Sequence, residues 1–220
     1  MGKLVAEFVG TFALVFIGVG SIISDNLTGG ALGVTGIALA HGLAIAVMAS
    51  ATGAISGGHL NPAVTCGVLV AGKMKAGDAL GYIVAQCAGA VAAAAMIKMI
   101  APGTTLAATG MGTPALAAGV TVGQALIVEI VLTFFLMFVV YGTAIDARAP
   151  KMAGLFIGLT VTMDILAGGA ITGAAMNPAR HLGPALLGGG LSHVWLYWVG
   201  PITGAVLASL IYKSTIEAKA

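Results

Sequence analysis

Charged residues are scarce in this sequence. Only 7% of its 220 residues are Asp, Glu, Lys or Arg, whereas 59% are hydrophobic. A water-soluble domain carries about 25% charged residues, so this chain has too few to cover a surface that faces water. The scarcity excludes an ordinary soluble protein and predicts a polytopic membrane protein. A net charge of +2 is too small to indicate a nucleic-acid partner.

Cysteine is equally rare. Cys66 and Cys87 show neither CxxC nor metal-ligand spacing, so we expect buried free thiols. No nucleophile–base pair and no cluster of metal ligands is apparent, and the sequence therefore predicts neither an enzyme nor a metal or other cofactor. The first apolar stretch, Leu4 to Ile23, lacks a convincing cleavage site, and we interpret it as a retained membrane helix.

Long apolar stretches are what the chain does have. Crossing a hydrocarbon core takes roughly 20 helical residues, and six stretches are that long. Two shorter stretches each follow a Gly-rich run and reach only about halfway. The predicted fold is an all-α membrane protein with six transmembrane helices and two half-helices. The six spans are approximately 4–24, 32–51, 77–100, 121–143, 152–170 and 194–213, and the half-helices are about 61–70 and 177–187.

The basic residues predict the orientation. If both termini share one face, that face receives most of the loop Lys and Arg, whereas the loops 25–31, 101–120 and 187–193 contain none. The positive-inside rule then places the termini in the cytoplasm. The basic residues on the predicted cytoplasmic face are Lys3, Lys73, Lys75, Arg148, Lys151, Lys213 and Lys219.

The chain also repeats itself. ISGGHLNPAV at 55–64 matches ITGAAMNPAR at 171–180, AEFVGTF at 6–12 matches VEIVLTF at 128–134, and YIVAQCAGAV at 82–91 matches YWVGPITGAV at 197–206. We interpret residues 1–220 as a single channel domain made of two repeats, approximately 1–110 and 118–220. Each repeat has three spans, an odd number, so the second repeat enters from the opposite side. Inverted repeats with broken helices place a permeation or binding site near the membrane midplane.

An Asn-Pro-Ala triplet opens each predicted half-helix. Asn is a good N-cap and Pro fits the first helical position, so Asn61-Pro62-Ala63 and Asn177-Pro178-Ala179 predict two helix starts that face each other at the midplane. Their positive dipole ends repel cations, and their amides can donate to a neutral solute. A plain Asn-Pro turn is the alternative for one copy, but two copies at matching positions argue against it. The preceding loops are expected to line the pore with the carbonyls of Gly57, Gly58, His59, Gly173, Ala174 and Ala175.

With these motifs, SGGHLNPAV and NPAR above all, the whole chain resembles the aquaporin or major intrinsic protein family. The resemblance implies one pore per subunit in a homotetramer within the lipid bilayer, conducting water and small neutral solutes. It also implies that Glu7 and Glu129 support the pore loops by accepting backbone hydrogen bonds. A proton relay is the alternative role for two carboxylates inside spans.

The resemblance further implies a four-residue constriction, which is carried over by spacing from the triplets: His41, Ile165, Ala174 and Arg180. Strict water channels of the family have an aromatic residue first and His second. The pair His41 and Ile165 instead resembles plant vacuolar-membrane aquaporins, members of which often also pass ammonia, urea or hydrogen peroxide. Ala174 stands where mercury-sensitive members have Cys, so we expect weak mercurial block.

Three alternatives are kept open. A glycerol facilitator is disfavoured because the family's Asp and second Arg are replaced here by His181 and Ala185, and because Tyr197-Trp198 matches the water-channel pattern. An ion-coupled secondary transporter would need a coupling site built from Glu7, Glu129 or Asp164, the last of which has no assigned role. A structural junction protein with a vestigial pore would show no permeability.

Overall fold

The computed structural model describes residues 1–217, which form helices joined by loops. Six of these helices are long and apolar enough to cross a membrane. They are α1 (Gly2–Leu27), α2 (Gly33–Ser56), α4 (Ala76–Ile100), α6 (Val122–Val140), α7 (Ala153–Thr172) and α9 (Leu196–Ile211). A π-helical turn, Tyr141–Ile145, continues α6, and another, Tyr212–Ile216, continues α9. The shorter helices are α3 (Pro62–Val70), α5 (Gly103–Ala108) and α8 (Pro178–Gly188).

This architecture confirms the predicted six spans and two half-helices, with two differences. Helix α2 continues to Ser56, five residues beyond the predicted end at 51, and stops where Gly57 adopts a left-handed conformation with φ of 90°. The loop 101–120, predicted without helix, contains α5. Lys219, one of the basic residues used for the orientation, lies outside the described residues.

The two half-helices approach from opposite faces of the molecule. Lys213, near the chain end, donates to the carbonyl of Ala71, which places the end of α3 on the face of the C-terminus. Lys98, in the last turn of α4, donates to the carbonyl of Leu187, which places the end of α8 on the other face. The N-terminal tips of α3 and α8 therefore point toward each other inside the helix bundle.

Close helix contacts are made at matching positions of the two repeats. A Cβ added at Gly89 would overlap the carbonyl oxygen of Phe8, so α4 and α1 approach backbone to backbone. A Cβ added at Gly204 would likewise overlap the carbonyl oxygen of Ile130, between α9 and α6. Small residues at these points allow the close packing that membrane helices need in the absence of a hydrophobic driving force.

The outer surface of the bundle is apolar. Large hydrophobic side chains along the long helices are more than half exposed, far beyond the scattered apolar residues of a soluble surface. Examples are Leu43, Val47, Leu80, Val84 and Ile127. Such a surface suits lipid tails or neighbouring subunits, whereas buried polar side chains are concentrated inside the bundle.

Candidate pore and constriction

Each triplet Asn caps a half-helix through its side-chain oxygen. Asn61 Oδ1 accepts from the Ala63 amide at 2.8 Å, and Asn177 Oδ1 accepts from the amides of Ala179 and Arg180 at 3.0 and 3.2 Å. A proline follows each Asn at the first helical position, where no backbone donor is required. The local sequence therefore produces two helix starts of the same design.

The two Asn amide groups also connect the repeats to each other. Asn61 Nδ2 donates to the carbonyl of Met176 at 2.8 Å, and Asn177 Nδ2 donates to the carbonyl of Leu60 at 2.9 Å. Each bond thus joins one Asn to the residue that precedes the other Asn. An amide nitrogen carries two hydrogens, so each Asn keeps a second donor beside the cavity that both residues line.

Glu7 holds the first pore loop. Its Oε1 accepts from the Ser56 hydroxyl at 2.6 Å and the His59 amide at 3.0 Å. Its Oε2 accepts from the Leu60 amide and from Gln86 Nε2, both at 2.7 Å. Four donors surround a fully buried carboxylate. These partners offset the cost of burying a carboxyl group inside a membrane protein.

Glu129 holds the second pore loop in the same manner with one donor fewer. Its Oε1 accepts from the Thr172 hydroxyl at 2.7 Å and the Ala175 amide at 2.9 Å, and its Oε2 accepts from the Met176 amide at 2.8 Å. The residue corresponding to Gln86 is Pro201, which has no side-chain donor. Like Glu7, Glu129 therefore accepts backbone hydrogen bonds from the loop that precedes a half-helix.

Two hydroxyls and two tyrosines complete these supports, and the sequence analysis missed them. Tyr82 donates to the carbonyl of Ser56 and Tyr197 donates to the carbonyl of Thr172, each at 2.7 Å. Both pairs occupy matching positions in the repeats. The sequence signal was present in the alignment of the two repeats, where Ser56 aligns with Thr172 and Tyr82 aligns with Tyr197.

The backbone of the two loops has the same unusual conformation. Gly57, Gly58 and Leu60 have φ of 90°, 62° and 51°, and the corresponding Gly173, Ala174 and Met176 have 79°, 43° and 50°. Left-handed backbone at a non-glycine residue is strained and persists only where other bonds impose it. Here the amides of Leu60 and Met176 are fixed by Glu7 and Glu129.

This conformation leaves a row of backbone carbonyls free. Within residues 1–217, the six predicted pore carbonyls receive no hydrogen bond, whereas those of Leu60 and Met176 are taken by the two Asn amides. Five of the six residues line the central cavity: Gly57, Gly58, His59, Ala174 and Ala175. The sixth, Gly173, lines a separate cavity near the far face of the molecule.

His41 and Arg180 contact each other directly. His41 Nδ1 lies 2.8 Å from the Ile37 carbonyl and therefore carries its proton there, which leaves Nε2 as an acceptor. Arg180 Nη2 donates to that Nε2 at 3.2 Å, and its Nη1 donates to the Gly112 carbonyl at 2.8 Å. Arg180 is 4% exposed, and these two bonds set the position of its guanidinium beside the cavity.

Two cavities meet at this point. The central cavity runs from Gly57 and His59 past both Asn residues, and a second cavity opens on the face away from the termini. His41, Ile165 and Arg180 line both cavities, so they stand at the junction. Of the four residues predicted to form a constriction, the structure brings these three to one place. Ala174 lines the central cavity but not the second cavity.

Two glycines that position this junction were missed from the sequence. A Cβ at Gly18 would overlap the His41 ring, so the absence of a side chain at this position of α1 leaves room for the imidazole. Gly112 supplies the carbonyl that anchors Arg180, from a short 3₁₀ turn, Gly110–Gly112. Neither glycine belongs to a repeated motif, so no sequence pattern singled it out.

Asp164 is buried, and within residues 1–217 one of its carboxyl oxygens has no hydrogen-bond partner. It is not among the residues that line the central cavity. The described residues contain no group of three or more His, Cys, Asp or Glu suited to a metal ion.

Comparison with known proteins agrees with this geometry. The family profile described as Major intrinsic protein matches residues 1–212. The chain is 42% identical to Aquaporin TIP4-4 of Zea mays over 223 residues, covering 98% of this chain and 87% of the relative. It is 45% identical to Aquaporin TIP4-1 of Arabidopsis thaliana over 220 residues, covering 97% and 85%.

A solved structure supports the fold independently. The X-ray structure of the aquaglyceroporin from Plasmodium falciparum superposes with a TM-score of 0.87, covering 97% of this chain and 96% of that one, at 24% identity. That likeness shows the fold alone. The relatives at 42–45% identity are plant TIP-type aquaporins, which confirms the resemblance to plant vacuolar-membrane members. The chain belongs to the major intrinsic protein family of membrane channels.

Proposed function

We propose that this protein is a passive water channel that excludes ions and protons. The observation that carries the proposal is the lining of the central cavity. It contains two Asn amide donors at the tips of opposed half-helices and, at one end, the Arg180–His41 pair. The free carbonyls of the lining residues supply acceptors, and the Asn amides supply donors. A water molecule moving through the cavity can exchange one hydrogen bond for the next.

Cation exclusion follows from charge placement. Each half-helix contributes about half a positive charge at its N-terminus, and both termini face the middle of the cavity. The Arg180 guanidinium adds a full positive charge at one end, in a place shielded from bulk water. A cation therefore meets positive potential at two depths, whereas a neutral dipole turns its oxygen toward the same donors.

The ring at the junction supports conduction of further neutral solutes. Ile165 contributes an apolar side chain to the lining at the junction, in place of the second-position His of strict water channels. A ring with one fewer polar side chain is wider and less selective for water. We propose ammonia, urea and hydrogen peroxide as additional solutes. A glycerol facilitator is the second candidate, but His181 and Ala185 replace that subgroup's Asp and Arg.

We further propose that both termini are cytoplasmic and that four copies assemble in the bilayer. Lys73, Arg148 and Lys213 gather on the face of the C-terminus, where the positive-inside rule favours them. The extensive apolar outer surface is consistent with subunit contacts as well as with lipid.

Stopped-flow light scattering on proteoliposomes tests the function. We expect rapid, non-saturating shrinkage with a low activation energy, independent of pH and sodium gradients, when water, glycerol, urea and ammonia are compared side by side. Uptake coupled to an ion gradient would instead identify a secondary transporter. Permeability equal to that of empty vesicles would identify a structural protein with a vestigial pore.

A further inference from the structure

A third cavity opens on the face of the termini, at the end of the central cavity that lies away from the Arg180–His41 pair. Its volume is about 520 Å³, within the roughly 300–1,000 Å³ typical of small-molecule sites. Gly57 and His59 line both cavities, so the two spaces meet there, at one entrance of the candidate pore. We call the third cavity the vestibule and define it by its charged lining residues, Lys3, Lys73, Lys75 and Asp78.

The lysines of the vestibule come from three separate parts of the chain. Lys3 lies in the first turn of α1, Lys73 follows the end of α3, and Lys75 directly precedes α4. Lys3 and Lys75 are exposed, and the Lys73 side chain is 41% exposed. All three side chains are therefore accessible to a molecule that enters from the aqueous side.

A fourth lysine reaches the wall of the same cavity. The Lys213 ammonium donates to the Ala71 carbonyl at 2.9 Å. It lies 3.5 Å from the position that a Cβ on Gly72 would occupy, and Gly72 lines the vestibule. The fold therefore brings residues from both ends of the chain to this one space.

Two carboxylates offset only part of this charge. Glu217 pairs with Lys73 at 2.8 Å. Asp78 lines the vestibule, but within residues 1–217 it forms no salt bridge, and neither the Lys3 nor the Lys75 ammonium is paired with a carboxylate. Four ammonium groups and two carboxylates leave an excess of two positive charges at the vestibule.

The positive-inside rule accounts for lysines on this face, but not for their position around one cavity. Arg148 and Lys151 belong to the same face and are not among the residues that line the vestibule. Arg148 is bonded to Asp146 and to the Ile216 carbonyl. The vestibule differs from the rest of the face because several ammonium groups share one concave space there.

The complementary ligand is a compact dianion. A lysine ammonium binds phosphate oxygens as a point charge and has three donors that can turn toward the ligand. One exposed ion pair contributes little, so a monovalent anion gains little at this site, whereas a dianion is attracted by two unpaired ammonium groups together. The same excess of positive charge disfavours a metal cation, for which the described lining offers a single carboxylate, that of Asp78.

We propose that the vestibule is a binding site for a phosphate monoester dianion, held by the Lys3 and Lys75 ammonium groups, and that its occupant reduces water entry at Gly57 and His59. The phosphate belongs either to a soluble molecule or to the headgroup of a membrane lipid. The binding goes beyond the proposed conduction, and only its effect on flux rests on that function.

Nitrogen NMR of the full chain in phosphatidylcholine nanodiscs, which expose both faces, tests the binding. The protein is labelled with ¹⁵N-histidine, and its four histidines are assigned with variants that replace one histidine at a time. Methyl phosphate is titrated at low ionic strength and about pH 8, above the second phosphate pKa of about 6, with sodium chloride at equal ionic strength as the reference. We expect a saturable shift of the His59 imidazole nitrogens with methyl phosphate alone. Dimethyl phosphate, a diester with one negative charge, should not saturate the site.

Three lysine variants locate the site. Lys3→Gln and Lys75→Gln each remove one of the two unpaired charges and should each raise the half-saturating concentration of methyl phosphate roughly three-fold, as expected for one exposed ion pair. Lys151→Gln makes the same substitution on the same face, outside the lining of the vestibule, and should leave the titration unchanged.

Phosphatidic acid distinguishes the two sources of the phosphate. It replaces part of the phosphatidylcholine in a second set of nanodiscs. If the lipid headgroup is the ligand, the His59 shift is present before any methyl phosphate is added, and it is reduced by Lys75→Gln. If the ligand is soluble, the lipid leaves the His59 resonances in place and methyl phosphate still shifts them.

Water flux is measured on proteoliposomes with methyl phosphate on both sides of the membrane. We expect flux to fall with the same half-saturating concentration as the shift. A shift that matches the chloride reference, or that is equally weakened by Lys151→Gln, overturns the proposal, and so does unchanged flux at saturation. If flux is absent without methyl phosphate while the saturable shift persists, the proposed channel function fails and the binding site stands.

Discussion

At the scale of single residues, the geometry of the junction between the two cavities depends on the contact between Arg180 and His41. Arg180 donates to His41 on one side and to the Gly112 carbonyl on the other, so its guanidinium has a fixed place although its side chain is long. The family resemblance, applied by spacing from the triplets, placed His41, Ile165 and Arg180 in one predicted ring, and the structure brings these three residues together. The resemblance could not show that Gly112 holds the arginine, because that contact joins positions 68 residues apart through a backbone atom.

Arg180→Ala should weaken discrimination against cations and larger solutes. The substitution removes the fixed charge at the end of the cavity and leaves space where the guanidinium was. We expect water flux to be retained and leak of sodium or glycerol to rise several-fold in stopped-flow and ion-flux assays on proteoliposomes. Unchanged selectivity would exclude Arg180 as the group that rejects these solutes.

His41→Phe should separate urea and ammonia from water. Phe has no ring nitrogen to accept from Arg180, and its ring narrows the junction. We expect urea and ammonia flux to fall several-fold more than water flux in side-by-side measurements. An equal loss for all solutes would mean that His41 serves helix packing against Gly18 rather than solute selection.

Mercury sensitivity follows from the placement of sulfur. Ala174 lies at the wall of the central cavity, and the two cysteines, Cys66 and Cys87, are half-buried and are not among its lining residues. We expect weak block of water flux by mercuric chloride and strong block after Ala174→Cys. Strong block of the unsubstituted chain that survives removal of Cys66 and Cys87 contradicts this placement.

At the scale of elements, each half-helix is held by a carboxylate on a neighbouring long helix. The two supports are built alike because they descend from matching repeat positions. The sequence predicted the half-helices from their length and from Asn-Pro, and the structure confirms them. It did not predict α5, since that six-residue stretch, GTTLAA, is too short to show apolar periodicity.

Glu129→Gln should destabilise the second pore loop. A glutamine has one oxygen to accept where the carboxylate has two, so one of the buried Ala175 and Met176 amides loses its partner. The expected loss of stability is about 1–3 kcal/mol, with reduced water flux. Thermal unfolding of the detergent-purified protein measures it.

Asp164→Asn is the matched control for this change. It makes the same carboxylate-to-amide replacement at a buried site, where one carboxyl oxygen has no hydrogen-bond partner among the described residues. We expect stability to be unchanged or improved. Equal destabilisation by both substitutions would show that replacing a buried carboxyl group by an amide, rather than losing the loop support, is responsible.

At the scale of the whole molecule, a cluster of polar bonds ties residues 213–217 to the neighbouring ends of α3 and α6. Glu217 accepts from Lys73 at 2.8 Å and from the Tyr141 hydroxyl at 2.7 Å. Arg148 pairs with Asp146 and donates to the Ile216 carbonyl. The cluster joins the ends of α3, α6 and α9, and its long-range partners left no local pattern in the sequence.

Acid should release residues 213–217 from these bonds. Hydrogen bonds from Lys73 and Tyr141 lower the pKa of Glu217, and the Arg148 guanidinium holds the pKa of Asp146 well below its usual range. A depressed carboxyl pKa contributes stability above the ordinary value of about 4, and this is lost as pH falls through the lowered value. The pairs are partly exposed, so global stability should change little.

Hydrogen exchange of residues 213–217, corrected for intrinsic rates, measures the release. Protection should decrease below about pH 4 in the unsubstituted chain. In Glu217→Gln it should be low at all pH values. Equal protection in both proteins at neutral pH would show that Glu217 does not hold the segment.

The hydrogen bonds that join each Asn side chain to the opposite loop have a consequence for synthesis. Asn61 donates to a carbonyl 115 residues later in the chain, whereas Glu7, Ser56 and Tyr82 are available within the first repeat. At usual translation rates the partner of Asn61 emerges on the order of ten seconds after it. The first re-entrant loop can therefore dock on its carboxylate early, but its tip waits for the second half of the chain. Until then the tip of the first loop lacks the partner that the second loop supplies, so the contact between the two tips forms only after the second repeat has been made.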